Sequence, residues 1–183
     1  MKQLPDAHPR TSLVRKKFTR IAILSLLTLG IFSCGGKDTL VDDTRTFGDK
    51  GWNRFKPEVF SVDVKDADNY YQIDFEVVVD TSLMRTNTLP LTVNLFSPSG
   101  DRRMFYASIS LIENNRWKGE PQPGRTKEGL RLLRQTIRPF FTFNSNGEFR
   151  MEIGQASSQF DLDAVKSFRL DIERTEIDYK GMK

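Results

Sequence analysis

The sequence predicts an all-β protein, an antiparallel β-sandwich with jelly-roll connectivity as one option, and three observations lead to this fold class. Apolar and polar residues alternate along several segments, which is typical of strands with one buried and one solvated side. Clusters of Gly, Pro, Asn, Asp and Ser separate these segments. A long helical repeat of apolar residues is absent. Two facing sheets bury the apolar side of each strand, which favours a sandwich over a closed barrel.

The first two predicted strands are Glu58–Lys65 and Tyr70–Asp80, and the second has the clearest alternation in the chain. The sequence between them, Asp66–Asn69, is typical of a turn. Three acids, Asp63, Asp66 and Asp68, leave a calcium loop as the alternative. The glycine and the terminal glutamate of an EF-hand loop are absent, so a plain turn is the preferred interpretation.

A hairpin is predicted next, with strands Pro90–Phe96 and Arg102–Leu111 joined by a five-residue turn. The following segment, Glu113–Gly129, contains two Pro and three Gly, which predicts a long insert without regular structure. Trp117 lies within it. This side chain either folds back over the edge of the core or faces a partner.

The last third of the chain predicts three more strands. Leu130–Phe143 is interpreted as strand in both halves, with Pro139 at an edge or a bulge. Glu148–Gly154 and Val165–Glu176 alternate apolar with polar residues and complete the sandwich.

The N-terminus has the pattern of an export signal. A basic cluster precedes Ile21–Phe32, an apolar run of 12 residues. A helix of that length reaches about 18 Å, well short of a bilayer core of about 30 Å. The last two residues of the run, Ile31 and Phe32, together with the following Ser33 and Cys34, resemble the lipobox of bacterial lipoproteins. This resemblance implies cleavage before Cys34 and a lipid on its sulfur.

These patterns divide the chain into four parts: a signal peptide over residues 1–33, a lipidated flexible tether over 34–51, a β-sandwich domain over 52–176 and a polar tail over 177–183. Removal of the signal leaves 183 − 33 = 150 residues. The signal carries six of the 28 Lys and Arg and one of the 24 Asp and Glu, so the remainder has 22 − 23 = −1 net charge. Nucleic-acid binding therefore loses its support in composition.

Composition also limits the chemistry of the mature chain. The single His leaves with the signal, and the single Cys is Cys34. This excludes His-dependent triads, cysteine nucleophiles and typical zinc sites. We expect no cofactor and no metal. Carboxylate chemistry stays open, but no spacing indicates a catalytic pair, and the expectation is a protein that is not an enzyme.

Separated motifs resemble the gliding-motility lipoprotein GldH family of the Bacteroidetes. The matching pieces are the lipobox, Trp52, Ser97–Gly100, Trp117–Gly119, Gly147–Ala156 and the segment from Leu162 to Glu173. The departures are Ser157, Ala164, Arg169 and Asp171, which indicate a distant member. The family has no known catalytic residues. The resemblance implies a place in the cell envelope, near the motility and secretion apparatus.

The function expected from these features is that of a lipid-anchored envelope protein, at the outer membrane, which binds another protein. Residues 102–138 hold nine basic and three acidic side chains, a net charge of +6. This segment either docks an acidic partner or anionic head groups, or forms solvated strand faces. The candidate partner-binding residues are Trp117, Arg125, Arg131 and Arg134. The alternative is a surface carbohydrate-binding module that uses Trp52 and Trp117.

Overall fold

The computed structural model describes residues 38–122 and 129–175, which form thirteen β-strands and no helix. The strands are β1 (Thr39–Thr46), β2 (Trp52–Asn53), β3 (Glu58–Val64), β4 (Tyr70–Asp80), β5 (Thr88–Phe96), β6 (Arg102–Ser110), β7 (Ile112–Glu113), β8 (Arg116–Trp117), β9 (Glu120–Pro121), β10 (Leu130–Phe141), β11 (Gly147–Gln155), β12 (Asp161–Leu162) and β13 (Val165–Thr175). Each of the seven predicted strands begins and ends within two residues of an observed one.

Two antiparallel sheets form the sandwich and contain its eight long strands. The first sheet has the order β1–β13–β4–β10–β9, and the second has the order β3–β11–β5–β6. With the long strands numbered 1 to 8 along the chain, these orders read 1-8-3-6 and 2-7-4-5, which is jelly-roll connectivity. Two short ladders, β2–β12 and β7–β8, lie outside these sheets. The predicted sandwich and its jelly-roll option are both confirmed.

The core lies between the two sheets and is rich in aromatic rings. Phe168, on the interior strand β13, is fully buried. Its ring centroid lies 5.0 Å from that of Phe75, 5.1 Å from that of Trp52 and 6.2 Å from that of Phe60. Phe60 belongs to the opposite sheet and Trp52 to a short ladder, so one side chain connects three parts of the domain.

The prediction of a flexible tether over residues 34–51 is wrong where the structure describes it. Strand β1 pairs with β13 from Thr39 to Thr46 and is the first strand of the jelly roll. Its sequence contains little apolar surface because it is an edge strand, and Val41 is its buried residue. Polar side chains attach the remainder of β1 to β13, as in the ion pair between Asp42 and Arg169, whose nearest atoms are 2.7 Å apart. The domain therefore begins before Trp52.

The prediction of a structureless insert over residues 113–129 is also wrong for its described part. Strands β7 and β8 form a hairpin whose two-residue loop is Asn114 and Asn115. The φ angles of these residues, 50° and 60°, suit a primed turn. Gly119 follows with a φ of 78°, and a Cβ there would lie 2.2 Å from the carbonyl oxygen of Leu132. Glycine therefore permits the close approach of this segment to β10.

The two lateral openings of the sandwich are closed by side chains. Between β1 and β3, Arg45 lies 4.6 Å over the ring of Phe60 and donates a 2.9 Å hydrogen bond to the carbonyl oxygen of Val59. Between β6 and β10, the amide of Gln135 bonds to the backbone of Ser108 and Ser110. Each of these contacts covers part of an edge strand.

Candidate functional site

Several residues with a predicted role lie outside the described part of the chain. These are the lipidation residue Cys34, the cleavage residues Ile31, Phe32 and Ser33, and the candidate contact Arg125. The polar tail over 177–183 lies outside it as well. The predictions for these residues stay predictions.

The two tryptophans proposed for glycan binding do not form an exposed platform. Trp52 is fully buried, stacked on Phe47 at 5.1 Å and packed against Phe168. The prediction that Trp52 contacts a glycan is therefore wrong. Trp117 is partly buried and packs against the core, which is the first of its two predicted positions. Its pairing with Ile112 in the short hairpin holds it there.

Arg131 and Arg134 lie on opposite faces of β10, so they do not form one basic surface. Arg131 is partly buried, and its Nη1 donates a 3.0 Å hydrogen bond to the carbonyl oxygen of Gly119. This contact attaches the segment that follows Trp117 to β10. The structure therefore gives Arg131 a role inside the fold.

Arg134 forms ion pairs with two buried carboxylates on the outer face of the five-stranded sheet. Its Nη2 lies 3.0 Å from Oδ2 of Asp74 and 2.9 Å from Oδ2 of Asp171. These aspartates are opposite one another on β4 and β13, and their side chains are 7% and 8% exposed. The guanidinium of Arg134 is thus paired with carboxylates of its own domain, and its role as a partner contact stays a prediction.

Asp171 is a carboxylate whose ionised form is disfavoured in the folded state. Burial is the main cause that raises its pKa, and Glu173 adds to it, while Arg134 and Arg169 act in the opposite direction. Its Oδ1 is buried and has no hydrogen-bond partner among the described residues. The raised pKa means that the folded state binds the proton more tightly than the unfolded chain does.

This pKa shift predicts a pH dependence of stability. The contribution of Asp171 is largest below its ordinary pKa of 3.8, where both states are protonated, and is lost as the pH rises through the higher folded pKa. Asp171→Asn removes that loss. We therefore expect the free energy of unfolding of Asp171→Asn, relative to the native chain, to increase from about pH 4 to about pH 7 in urea titrations.

The control for this measurement is Asp101→Asn in the exposed β5–β6 turn, which also removes one carboxylate. A relative stability of Asp171→Asn that decreases as the pH rises contradicts a raised pKa for Asp171 in the folded state.

The three acids considered for calcium lie at or beside the β3–β4 turn. Oδ1 of Asp66 accepts a 3.2 Å hydrogen bond from the backbone N–H of Asp68, and Asp63 forms an ion pair with Lys65. The backbone N–H of Ala67 donates to Oδ1 of Asn146 at 2.7 Å, which attaches this turn to the neighbouring one. The plain turn is confirmed by these bonds. Within residues 38–122 and 129–175, no group of His, Cys, Asp or Glu has the arrangement of a metal site.

One surface lies within the basic segment 102–138, but its residues were not singled out by the sequence. We call it the β6 rim and define it by Arg102, Arg103, Met104 and Tyr106 of β6 and by Arg138 of β10. Tyr106 is 70% exposed and Met104 is 52% exposed, and both lie on the outer face of the four-stranded sheet. The signal in the sequence was the Arg102-Arg103 pair directly after a tight turn, next to two large side chains on one strand face.

The arginines of the β6 rim have neutral partners. Nη2 of Arg102 donates to Oδ1 of Asn94 at 2.6 Å, and Nη1 of Arg103 donates to the carbonyl oxygen of Thr142 at 3.1 Å. The guanidinium of Arg138 lies 4.9 Å over the ring of Phe105. None of the three forms an ion pair with a carboxylate of the described residues. The rim therefore combines positive charge with exposed apolar and aromatic surface.

Comparison with known proteins finds no matching protein-family model, no matching curated protein and no matching solved structure. No helix in the described ranges is long and apolar enough to cross a membrane.

Proposed function

We propose that this chain is a lipid-anchored, non-enzymatic protein of the cell envelope whose β-sandwich binds another protein. The observation that carries the binding role is the β6 rim. Arg102 shares the outer face of β6 with exposed Met104 and Tyr106, whereas Arg103 and Arg138 lie on its core-facing side, and none of the three arginines has a carboxylate partner in the described domain. Aromatic residues, Met and Arg are the side chains enriched at protein interfaces. A rim of this composition fits a protein partner better than it fits solvent alone.

The anchor in this proposal rests on the sequence. Cys34 follows Ile31, Phe32 and Ser33 in a pattern that resembles the lipobox, after an apolar run too short to span a bilayer. The further motifs that resemble the GldH family support a place in the outer membrane, near motility and secretion machinery. The proposed location is therefore the outer membrane.

A lipid on Cys34 would keep the sandwich close to the membrane. Five residue steps separate Cys34 from Thr39, where β1 begins, and a fully extended chain covers about 18 Å over that length. Thr39 lies opposite Glu173, Glu173 opposite Gln72, and the next residue of β4 lies opposite Arg138. Thr39, where β1 begins, thus lies at the same end of the first sheet as Arg138.

Replacing Cys34 with serine tests the anchor. We expect Cys34→Ser to abolish incorporation of an alkyne-labelled palmitate and to move the protein out of the membrane fraction, because a hydroxyl is not a substrate for thioether formation. Ser33→Ala, which keeps a small residue before the cleavage point, is the matched control and should remain labelled. Equal labelling of Cys34→Ser and the native chain contradicts the lipid anchor.

A further inference from the structure

The edge of β6 that faces away from β5 has no neighbouring strand in the described chain, and a side chain covers part of its backbone. Near the end of β6, the N–H of Ser110 donates to Oε1 of Gln135 at 2.9 Å, and Nε2 of Gln135 donates to the carbonyl oxygen of Ser108 at 2.9 Å. Alternate residues of an antiparallel strand direct both backbone groups to the same side. Met104 and Tyr106 therefore present their N–H and C=O groups to this same edge.

Two other strands at edges of the sandwich, β3 and β10, have features that oppose strand addition. Strand β10 carries Pro139 and two register shifts, and Arg45 occupies the carbonyl oxygen of Val59 on β3. Between Arg102 and Tyr106, β6 has no proline and no register shift, and in the described chain β5 is its single partner strand. A regular, unpaired edge of this kind is a template for an added strand.

The charge beside this edge indicates what kind of strand fits. Arg102, Arg103 and Arg138 have neutral partners within the described domain. On the outer face of the other sheet, by contrast, Arg134 and Arg169 are both paired with carboxylates of the domain itself. The positive charge of the β6 rim is thus left for an external carboxylate to neutralise.

We propose that the β6 edge from Arg102 to Tyr106 binds an acidic, extended segment of a partner protein, which adds to the four-stranded sheet as a fifth strand. This inference rests on the protein-binding role proposed above and names the chemistry of the partner. The backbone groups of Met104 and Tyr106 pair with the added strand. Its Asp or Glu side chains on the outer face contact Arg102, acidic residues at the intervening positions face Arg103 and Arg138, and Gln135 limits the site by occupying the edge beyond it.

Anionic lipid head groups could satisfy the arginines, but they have no backbone to pair with the edge of β6. The unpaired backbone therefore favours a peptide segment over a membrane surface. The two occupants differ in a measurable way, because binding to head groups depends on charge alone, whereas strand addition also needs the N–H of Met104.

The test uses the full-length protein in detergent and two blocked synthetic peptides, each about seven residues long, of alternating Glu and Val or alternating Lys and Val. We expect the Glu peptide to bind and to slow amide hydrogen exchange at Met104 and Tyr106 by about tenfold, the effect of one added hydrogen bond of about 1.4 kcal/mol. The Lys peptide should neither bind nor protect these amides.

Two pairs of variants separate backbone from charge. Met104→Pro removes the N–H that faces the edge, while Met104→Ala shortens the side chain and keeps that N–H. We expect Met104→Pro to weaken binding of the Glu peptide by about tenfold or more relative to Met104→Ala, again the loss of one hydrogen bond. Arg102→Glu should weaken it as well, whereas Arg85→Glu, an exposed arginine in the β4–β5 loop, should not.

If Met104→Pro fails to fold, the comparison of Arg102→Glu with Arg85→Glu and the comparison of the Glu peptide with the Lys peptide still test the inference. Equal binding of both peptides, or binding of the Glu peptide without protection of Met104 and Tyr106, overturns the inference. So does binding to phosphatidylglycerol vesicles that Arg102→Glu abolishes and Met104→Pro leaves unchanged, if the Glu peptide does not bind. A protein cross-linked in cells through another face of the sandwich, with no peptide binding at β6, also overturns it and leaves the proposed protein-binding role intact.

Discussion

Replacing Phe168 with alanine will lower the free energy of unfolding by about 4 kcal/mol, the cost of emptying an aromatic site in a packed core. The ring of Phe168 is fully buried and contacts the rings of Phe60, Phe75 and Trp52, which come from both sheets and from the β2–β12 ladder. Residues from distant parts of the chain meet there, so the cavity has no single neighbour able to fill it. Urea denaturation monitored by tryptophan fluorescence measures the loss.

Phe140→Ala is the matched control for this prediction. Phe140 also lies on a long strand of the same sheet, but it is 55% exposed. We expect its replacement to cost less than about 1 kcal/mol, because little apolar surface leaves the core. A Phe168→Ala variant as stable as Phe140→Ala would contradict the packing of Phe168 between the two sheets.

The second large effect concerns Arg134, whose replacement by alanine leaves Asp74 and Asp171 without their shared counter-charge. We expect a loss of about 2–3 kcal/mol, below the roughly 3–5 kcal/mol of a fully buried pair because solvent screens the exposed half of the arginine. The side chain of Arg134 is 51% exposed, whereas those of the two aspartates are 7% and 8% exposed. Thermal and urea unfolding both report this loss.

The same substitution in a second variant shows whether the charge of Arg134 causes the loss of stability. In a chain that already carries Asp74→Asn and Asp171→Asn, the same Arg134→Ala replacement should cost well under half as much, since no buried charge is left unpaired. An equal cost in both backgrounds would mean that Arg134 stabilises the sheet through packing of its stem and not through its charge.

The strands that sequence reasoning predicted well are those with an apolar side facing the core. In β4, for example, Ile73, Phe75, Val77 and Val79 are all fully buried, so alternation in the sequence corresponds to alternation in space. Strand β1 lacked that signal because it is an edge strand with one buried apolar residue, and ion pairs with distant residues hold it. Local sequence does not contain those partners.

The role of Arg134 was beyond sequence reasoning for the same reason. Its interpretation as a partner contact followed from the charge of its segment, whereas its actual position follows from the register of three strands. Asp74 and Asp171 are 97 positions apart in the chain and become neighbours through that pairing. The β7–β8 hairpin, by contrast, had a local signal in Asn114-Asn115, a pair suited to positive φ angles.

The positions of the β6 rim and of the edge of β6 follow from the topology of the fold. The jelly roll leaves β6 at the end of the four-stranded sheet, and Gln135 covers the edge at Ser108 and Ser110. The remaining edge is flanked by arginines that have no carboxylate partner in the described domain. Charge and unpaired backbone therefore coincide at one place.

Photo-cross-linking in intact cells tests the proposed binding role of the β6 rim most directly, with a benzophenone amino acid placed at Tyr106 or, for comparison, at Phe160. Both side chains are aromatic and similarly exposed, at 70% and 67%, and Phe160 lies on the separate β2–β12 side of the domain. We expect a discrete protein adduct in the membrane fraction from position 106, lost with Arg102→Glu and retained with Arg85→Glu. An adduct from position 160 and none from position 106 would contradict a partner at the β6 rim.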